Sequence, residues 1–179
     1  MKRKLIFFVL LNCLFAGNAF CQINIFMKVS GYNGATQVAG FTNYFEVTKT
    51  GQTNTTCSTA SCAATAGDFT VEMPTSTSSD LTVPLQQKLF QGPSAAFIPT
   101  VDIVFASSTT TASVFYQIHL TNVRVKTIAQ VSGDEALDDQ LSFTFETISW
   151  KFKSSAGTIT TGCWNVSGNA SCTATGFPF

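Results

Sequence analysis

The chain has 179 residues, 45 % of them hydrophobic and only 11 % charged, with ten basic and ten acidic side chains and a single histidine. So few cations give no electrostatic case for nucleic acid, which is held by clustered Lys and Arg. The apolar content is enough for one buried core rather than a disordered chain.

The first element is a leader. Lys2, Arg3 and Lys4 precede an apolar run from Leu5 to Ala16, broken by Asn12 and followed by the small residues Gly17 and Ala19, the layout of an export signal. A transmembrane helix needs about 20 apolar residues, so this run is too short to remain as an anchor. No later stretch is apolar enough to insert stably in a membrane. Cleavage after Ala19 or after Cys21 fits the small-residue rule, and the second is preferred because it leaves an even number of cysteines. Bulky Phe20 argues against lipidation of Cys21. The expected organisation is therefore a signal peptide over 1–21 and one domain over 22–179, placed in the periplasm or outside the cell. Removing Lys2, Arg3 and Lys4 leaves seven basic against ten acidic side chains, a net charge near −3.

The body reads as strands around one helix. Ile23, Ile25, Met27 and Val29 alternate with Asn24, Phe26 and Lys28, which predicts a half-buried strand over 23–30 with a turn from Gly31 to Gly34. Further strands are expected over 44–50 and 68–73, flanking a Ser/Thr/Ala loop that carries Cys57 and Cys62. The helix signal is Thr82 as a cap, Pro84 in the first turn, Leu81, Leu85 and Leu89 on one face, and Gly92-Pro93 as the stop. Strands are expected over 100–106, 113–122, 123–131 and 139–153. Many short strands and one helix place the fold in the all-β class, as a barrel or sandwich.

Cys57 and Cys62 are spaced C-x4-C, and Cys163 and Cys172 C-x8-C. In an oxidising compartment they read as two disulfides, and local pairing within each loop is preferred among the three connectivities. Neither pair has a nearby histidine or zinc-module spacing, so a metal site is not expected. An enzyme is not expected either. His119 sits between Ile118 and Leu120 without a nucleophile elbow, and Asp134-Glu135 and Asp138-Asp139 read as a solvated turn. Trp150 and Trp164 are read as rim packing rather than a ligand platform. Nothing calls for a cofactor. The sequons at Asn54, Asn165 and Asn169 matter only in a host that glycosylates exported proteins.

Several segments in order resemble the haemolysin-coregulated protein family, the tube subunit of type VI secretion. Phe26-Met27-Lys28-Val29-Ser30-Gly31-Tyr32 is similar to its opening strand and turn, Tyr44-Phe45-Glu46-Val47 to its second strand, and Leu85 to Gly92 with Ile98-Pro99-Thr100-Val101 to its lone helix and next strand. Tyr116 to Val125 resembles its central strands, Leu141 to Phe152 its last pair, and Gly162-Cys163-Trp164-Asn165-Val166 a Gly-Trp-Asp segment near its end. The resemblance spans about 26 to 169.

It implies a small antiparallel β-barrel of two sheets flanked by one helix, self-associating head-to-tail into rings of about six that stack or carry secreted cargo. The family's subunits are built in the cytosol without a leader, whereas this leader predicts the general secretory route. The cysteine-bearing loop from Gln52 to Gly67, including Asn54, Cys57 and Cys62, falls where the family makes subunit contacts. It is the candidate contact loop. The tail from Ser171 to Phe179 has no placed counterpart. The alternative reading is a monomeric secreted binding module or effector that keeps the barrel without the ring.

Overall fold

A computed structural model describes residues 22–55, 65–108, 110–132 and 137–179. Its elements in chain order are β1 (Asn24–Val29), β2 (Phe45–Val47), β3 (Lys49–Thr55), β4 (Thr65–Pro74), α1 (Thr75–Gln91), β5 (Ile98–Ala106), β6 (Val114–Ser132), β7 (Leu137–Thr144), β8 (Thr147–Lys153), β9 (Ile159–Asn165) and β10 (Ala170–Ser171). Every pairing between them is antiparallel.

Two sheets share one strand. The first runs β10-β9-β8-β6-β5-β1-β2, and the second runs β3-β4-β7-β6. Tyr116–Thr121 of β6 pair with β8, and the same stretch pairs with β5 on its other side, whereas Arg124–Ser132 pair with β7. The change of sheet falls at Asn122, whose φ of 49° is a left-handed conformation that Asn adopts more readily than most residues. The sequence expectation of two strands, 113–122 and 123–131, is thus corrected to one bent strand. At the opposite corner Thr48 N–H donates to the Glu72 carbonyl at 2.8 Å as the chain passes from β2 in the first sheet to β3 in the second. The fold is mainly antiparallel β with one helix, as expected. The barrel is open, because its two sheets meet along β6 and at Thr48 without one continuous ladder.

Alternation along the strands fills the space between the sheets with Met27, Val29, Phe45, Phe69, Ile103 and Phe143, among others. Burying each such side chain stabilises the fold by roughly 1.5–3 kcal/mol. A smaller cluster lies on the opposite face of the first sheet, where Phe26, Tyr44, Val104 and Val114 gather around Phe41, and Phe179 packs onto it. Phe26 and Phe41 stack with centroids 4.0 Å apart.

α1 begins seven residues before the predicted cap. Thr82 is buried inside the helix and Pro84 is interior. The early turns, Thr-Ser-Thr-Ser-Ser, are poor helix formers, and a tertiary anchor holds them. The Thr75 and Thr82 hydroxyls both donate to the Asp139 carboxylate, at 3.3 and 2.8 Å. Asp139 is therefore not in a solvated turn; it is 1 % exposed on β7. Asp138 is also on β7, and Asp134 and Glu135 lie outside the described residues. Leu81 and Leu85 are fully buried, but Leu89 is only half-buried. The predicted stop is observed: Gly92 has φ 61° and its N–H returns to the Leu89 carbonyl. The expected 139–153 strand is divided by Phe145-Glu146 into β7 and β8, and β9 and β10 add a hairpin that periodicity did not reveal.

Candidate functional site

The predicted cysteine positions separate into two cases. Cys163 and Cys172 are joined by a disulfide with their Cα atoms 5.0 Å apart, across the base of the β9–β10 hairpin, where Cys172 N–H also donates to the Cys163 carbonyl. Cys57 and Cys62 lie outside the described residues. Gln52 and Asn54 are not in a loop. Both belong to β3, with a bulge between them, and face Phe69 and Ala66 of β4. Residues 52–55 and 65–66 thus continue the antiparallel β3–β4 ladder, with Thr55 in register with Thr65. Glu72 locks this hairpin. Lys49 lies 3.0 Å from its carboxylate, and Gln140 donates to it at 3.0 Å. The Lys49 bond, opposed by desolvation and aided by Gln140, holds the Glu72 carboxyl below its usual range.

α1 presents a second surface. Val83 and Phe90, seven residues apart and so on one helix face, are 57 % and 86 % exposed, and Phe97 beyond the helix end is 48 % exposed. Beside them a groove of about 400 Å³ opens between the helix end and the sheet, lined by Leu89, Pro93, Ile98 and Val125 with three cations at its rim. Those cations are engaged. Arg124 donates to the carbonyls of Pro93 and Ala95 at 3.1 and 2.9 Å and stacks 3.8 Å from the Phe97 ring centroid, Lys88 reaches the Ala96 carbonyl at 3.3 Å, and Lys126 pairs with Asp68 at 2.6 Å. Arg124 thereby holds the turn that follows α1, and the groove reads as apolar rather than as an anion pocket.

The outer face of the first sheet is the third surface, and sequence reading missed its key partner. Asp102 on β5, His119 on β6 and Ser149 on β8 are in register across three neighbouring strands. His119 Nδ1 lies 2.5 Å from Asp102 Oδ1, with both residues buried. Among the described residues no hydrogen bond joins His119 to Ser149; the contact in this row is between His119 and Asp102. The segment 172–179 covers the pair. The apolar residues of Phe177-Pro178-Phe179 in an otherwise polar tail were the available signal. Tyr44, at the edge of this face, has its phenol pushed up to about 12 by burial and then by the charge of Asp102. Trp150 and Trp164 are half-buried against the main core. Among the described residues no group of His, Cys, Asp and Glu could hold a metal ion, and no helix is long and apolar enough to cross a membrane.

A family model described as type VI secretion system effector, Hcp, matches residues 26–152, well over half of the chain. The chain belongs to the Hcp family. Solved structures agree on the fold. Hcp1 from Salmonella typhimurium superposes with a TM-score of 0.69 at 15 % identity, over 84 % of this chain and 99 % of that one. A type VI secretion system effector from Yersinia pestis gives 0.65 at 15 % identity, over 79 % and 99 %. The secreted protein Hcp3 from Pseudomonas aeruginosa gives 0.59 at 13 % identity, over 78 % and 97 %. No curated protein matches the chain. The Hcp match ends at Phe152, so the β9–β10 hairpin and residues 172–179 lie beyond it.

Proposed function

We propose that this Hcp-family protein is a non-enzymatic structural subunit that leaves the cytosol by way of its 1–21 leader and self-associates head-to-tail into rings of about six copies outside it. The observation that carries this reading is the exposed Val83–Phe90 stripe on α1, beside a groove whose charges are already committed. Exposed apolar side chains beside an apolar groove favour association. The strands point the same way: among the described residues β2, β3 and β10 each pair on one side only, leaving edges that neighbours in a ring would cover. At a net charge near −3 the 22–179 chain adds only modest repulsion between copies. Cargo carried in such a ring would be secreted protein, in keeping with the family's place in type VI secretion.

Sedimentation velocity on disulfide-intact residues 22–179, from low to high micromolar, tests the assembly. A hexamer-sized species that dissociates when 54–65 are deleted supports the ring, with the β3–β4 hairpin as a contact. A strict monomer at every concentration removes it and leaves a secreted binding module. N-terminal sequencing of protein recovered outside the cytosol tests the leader: a start at Gln22 or Phe20 is expected, and an intact Met1 would refute cleavage.

A further inference from the structure

We propose that the outer face of the first sheet is a docking site for a segment bearing Gly176, Phe177 and Phe179, that the single chain fills it with its own residues 174–179, and that in assemblies it accepts the same segment from a second copy. The site does not depend on ring formation.

The strap reaches this face because of where the disulfide sits. Cys163 is in register with Ser149, and through it with His119 and Asp102, in one row across four strands. The bond to Cys172 therefore starts the strap above that row. From there it crosses the strands and is held at three points. Gly176 lies flat on the imidazole with φ +82°, where a Cβ would stand 2.5 Å from His119 Nε2. The Phe177 ring lies 6.4 Å from His119 and 5.7 Å from the Lys151 ammonium. Gln117 then reads the Phe179 backbone from both sides, donating to its carbonyl at 2.9 Å and accepting from its N–H at 3.1 Å, while Lys151 also donates to that carbonyl. The Phe179 ring closes the outer cluster, 5.5 Å from Phe41 and 6.2 Å from Tyr44.

These contacts have the character of ligand recognition. No backbone-to-backbone hydrogen bond holds residues 173–179 among the described residues. Specificity comes from a glycine that nothing larger can replace, a paired amide and an aromatic socket, all of which read the segment whatever chain it belongs to. Cys172, Thr173 and Thr175 are exposed, so the tether is solvated. The strap also leaves the face partly open, with a cavity of about 520 Å³ beside Pro178, lined by Lys28, Tyr32 and Asp102. The segment lies beyond the Hcp match. A second copy carries the identical ligand, and exchange of an identical element is a low-cost route to association. In cis the short tether gives the strap an effective concentration of order mM, so exchange needs either crowding of copies or a weakened strap.

Gly176→Val expels the strap without altering the face, and Gln117→Ala damages the face without altering the strap. Both are made in the oxidised 22–179 protein, with a chain ending at Thr173 as the second strap-free form should Gly176→Val fold poorly. The probe is a synthetic peptide of residues 173–179, labelled at its N-terminus and followed by fluorescence anisotropy. Saturable binding to the Gly176→Val protein, at least ten-fold tighter than to the unaltered protein and lost on adding Gln117→Ala, is the expected result. No saturable binding to either strap-free form overturns the docking site. Mixing Gly176→Val with Gln117→Ala protein should give a 1:1 dimer by sedimentation that neither forms alone. Peptide binding without that dimer overturns the second copy as occupant.

Discussion

Asp139 and Tyr44 are ionisable side chains whose buried surroundings their immediate sequence does not suggest. Asp139 is 1 % exposed and receives the Thr82 hydroxyl at 2.8 Å. Thr82→Val keeps the shape and removes one donor from a buried carboxylate, so it should cost about 1–3 kcal/mol in denaturant unfolding; an unchanged midpoint would mean that Thr82 does not support Asp139. Tyr44 titrates near 12 in the folded protein because burial, and then Asp102, disfavour the phenolate. Its folded pKa lies above the unfolded value of about 10. The stability it contributes is complete below pH 10 and is lost as pH rises toward 12. Melting temperature followed across that interval should fall less steeply in Tyr44→Phe than in the unaltered protein. Glu72 has the opposite sign. Its carboxyl is held low by Lys49, so its contribution is present above about pH 4.5 and fades as pH drops through the depressed value.

Each element owes its position to a few side chains. Leu81 and Leu85 of α1 are fully buried, while Leu89 leaves the core to line the groove. Leu85→Ala should cost about 2–5 kcal/mol, as for other buried leucines, and Leu89→Ala clearly less; equal losses in chemical denaturation would contradict this placement of the helix end. The β9–β10 hairpin is closed by the disulfide between residues nine apart. On the chain-entropy model its removal costs about 2–3 kcal/mol. Cys163→Ser should therefore lower the unfolding midpoint and also raise proteolytic cleavage within 173–179, since the strap loses its tether. Cleavage at the same rate as in the intact protein would separate the strap from the disulfide.

For the whole molecule, the open pair of sheets decides which surfaces remain for partners. β10 and β2 end opposite sides of the first sheet and β3 ends the second, so the free edges are distinct, as head-to-tail contacts require. Phe90 is 86 % exposed, so Phe90→Ser should leave monomer stability within about 0.5 kcal/mol while shifting the sedimentation distribution toward monomer. A ring that survives this substitution would exclude the helix stripe from the interface.

Alternation in Ile25, Met27 and Val29 and in Val114 to Leu120 was enough to place those stretches on strands, because a period of two has one physical meaning on a half-buried sheet, but it did not show that β6 runs on to Ser132 or that 139–153 divides in two. Gly92-Pro93 likewise determined where the helix ends, and the order of these elements pointed to the Hcp family. The helix start was not legible, because Thr75 to Ser79 have weak helical preference and the helix is anchored through Thr75 and Thr82 to Asp139, 64 and 57 residues away in sequence. Nor was the bend of β6 at Asn122, since local pattern cannot distinguish a turn from a strand that changes sheets. Asp102, His119 and the strap came together only in three dimensions. Their contacts join residues 17 to 62 positions apart, and it was the register of three strands, set by the packed core, that decided which of them meet.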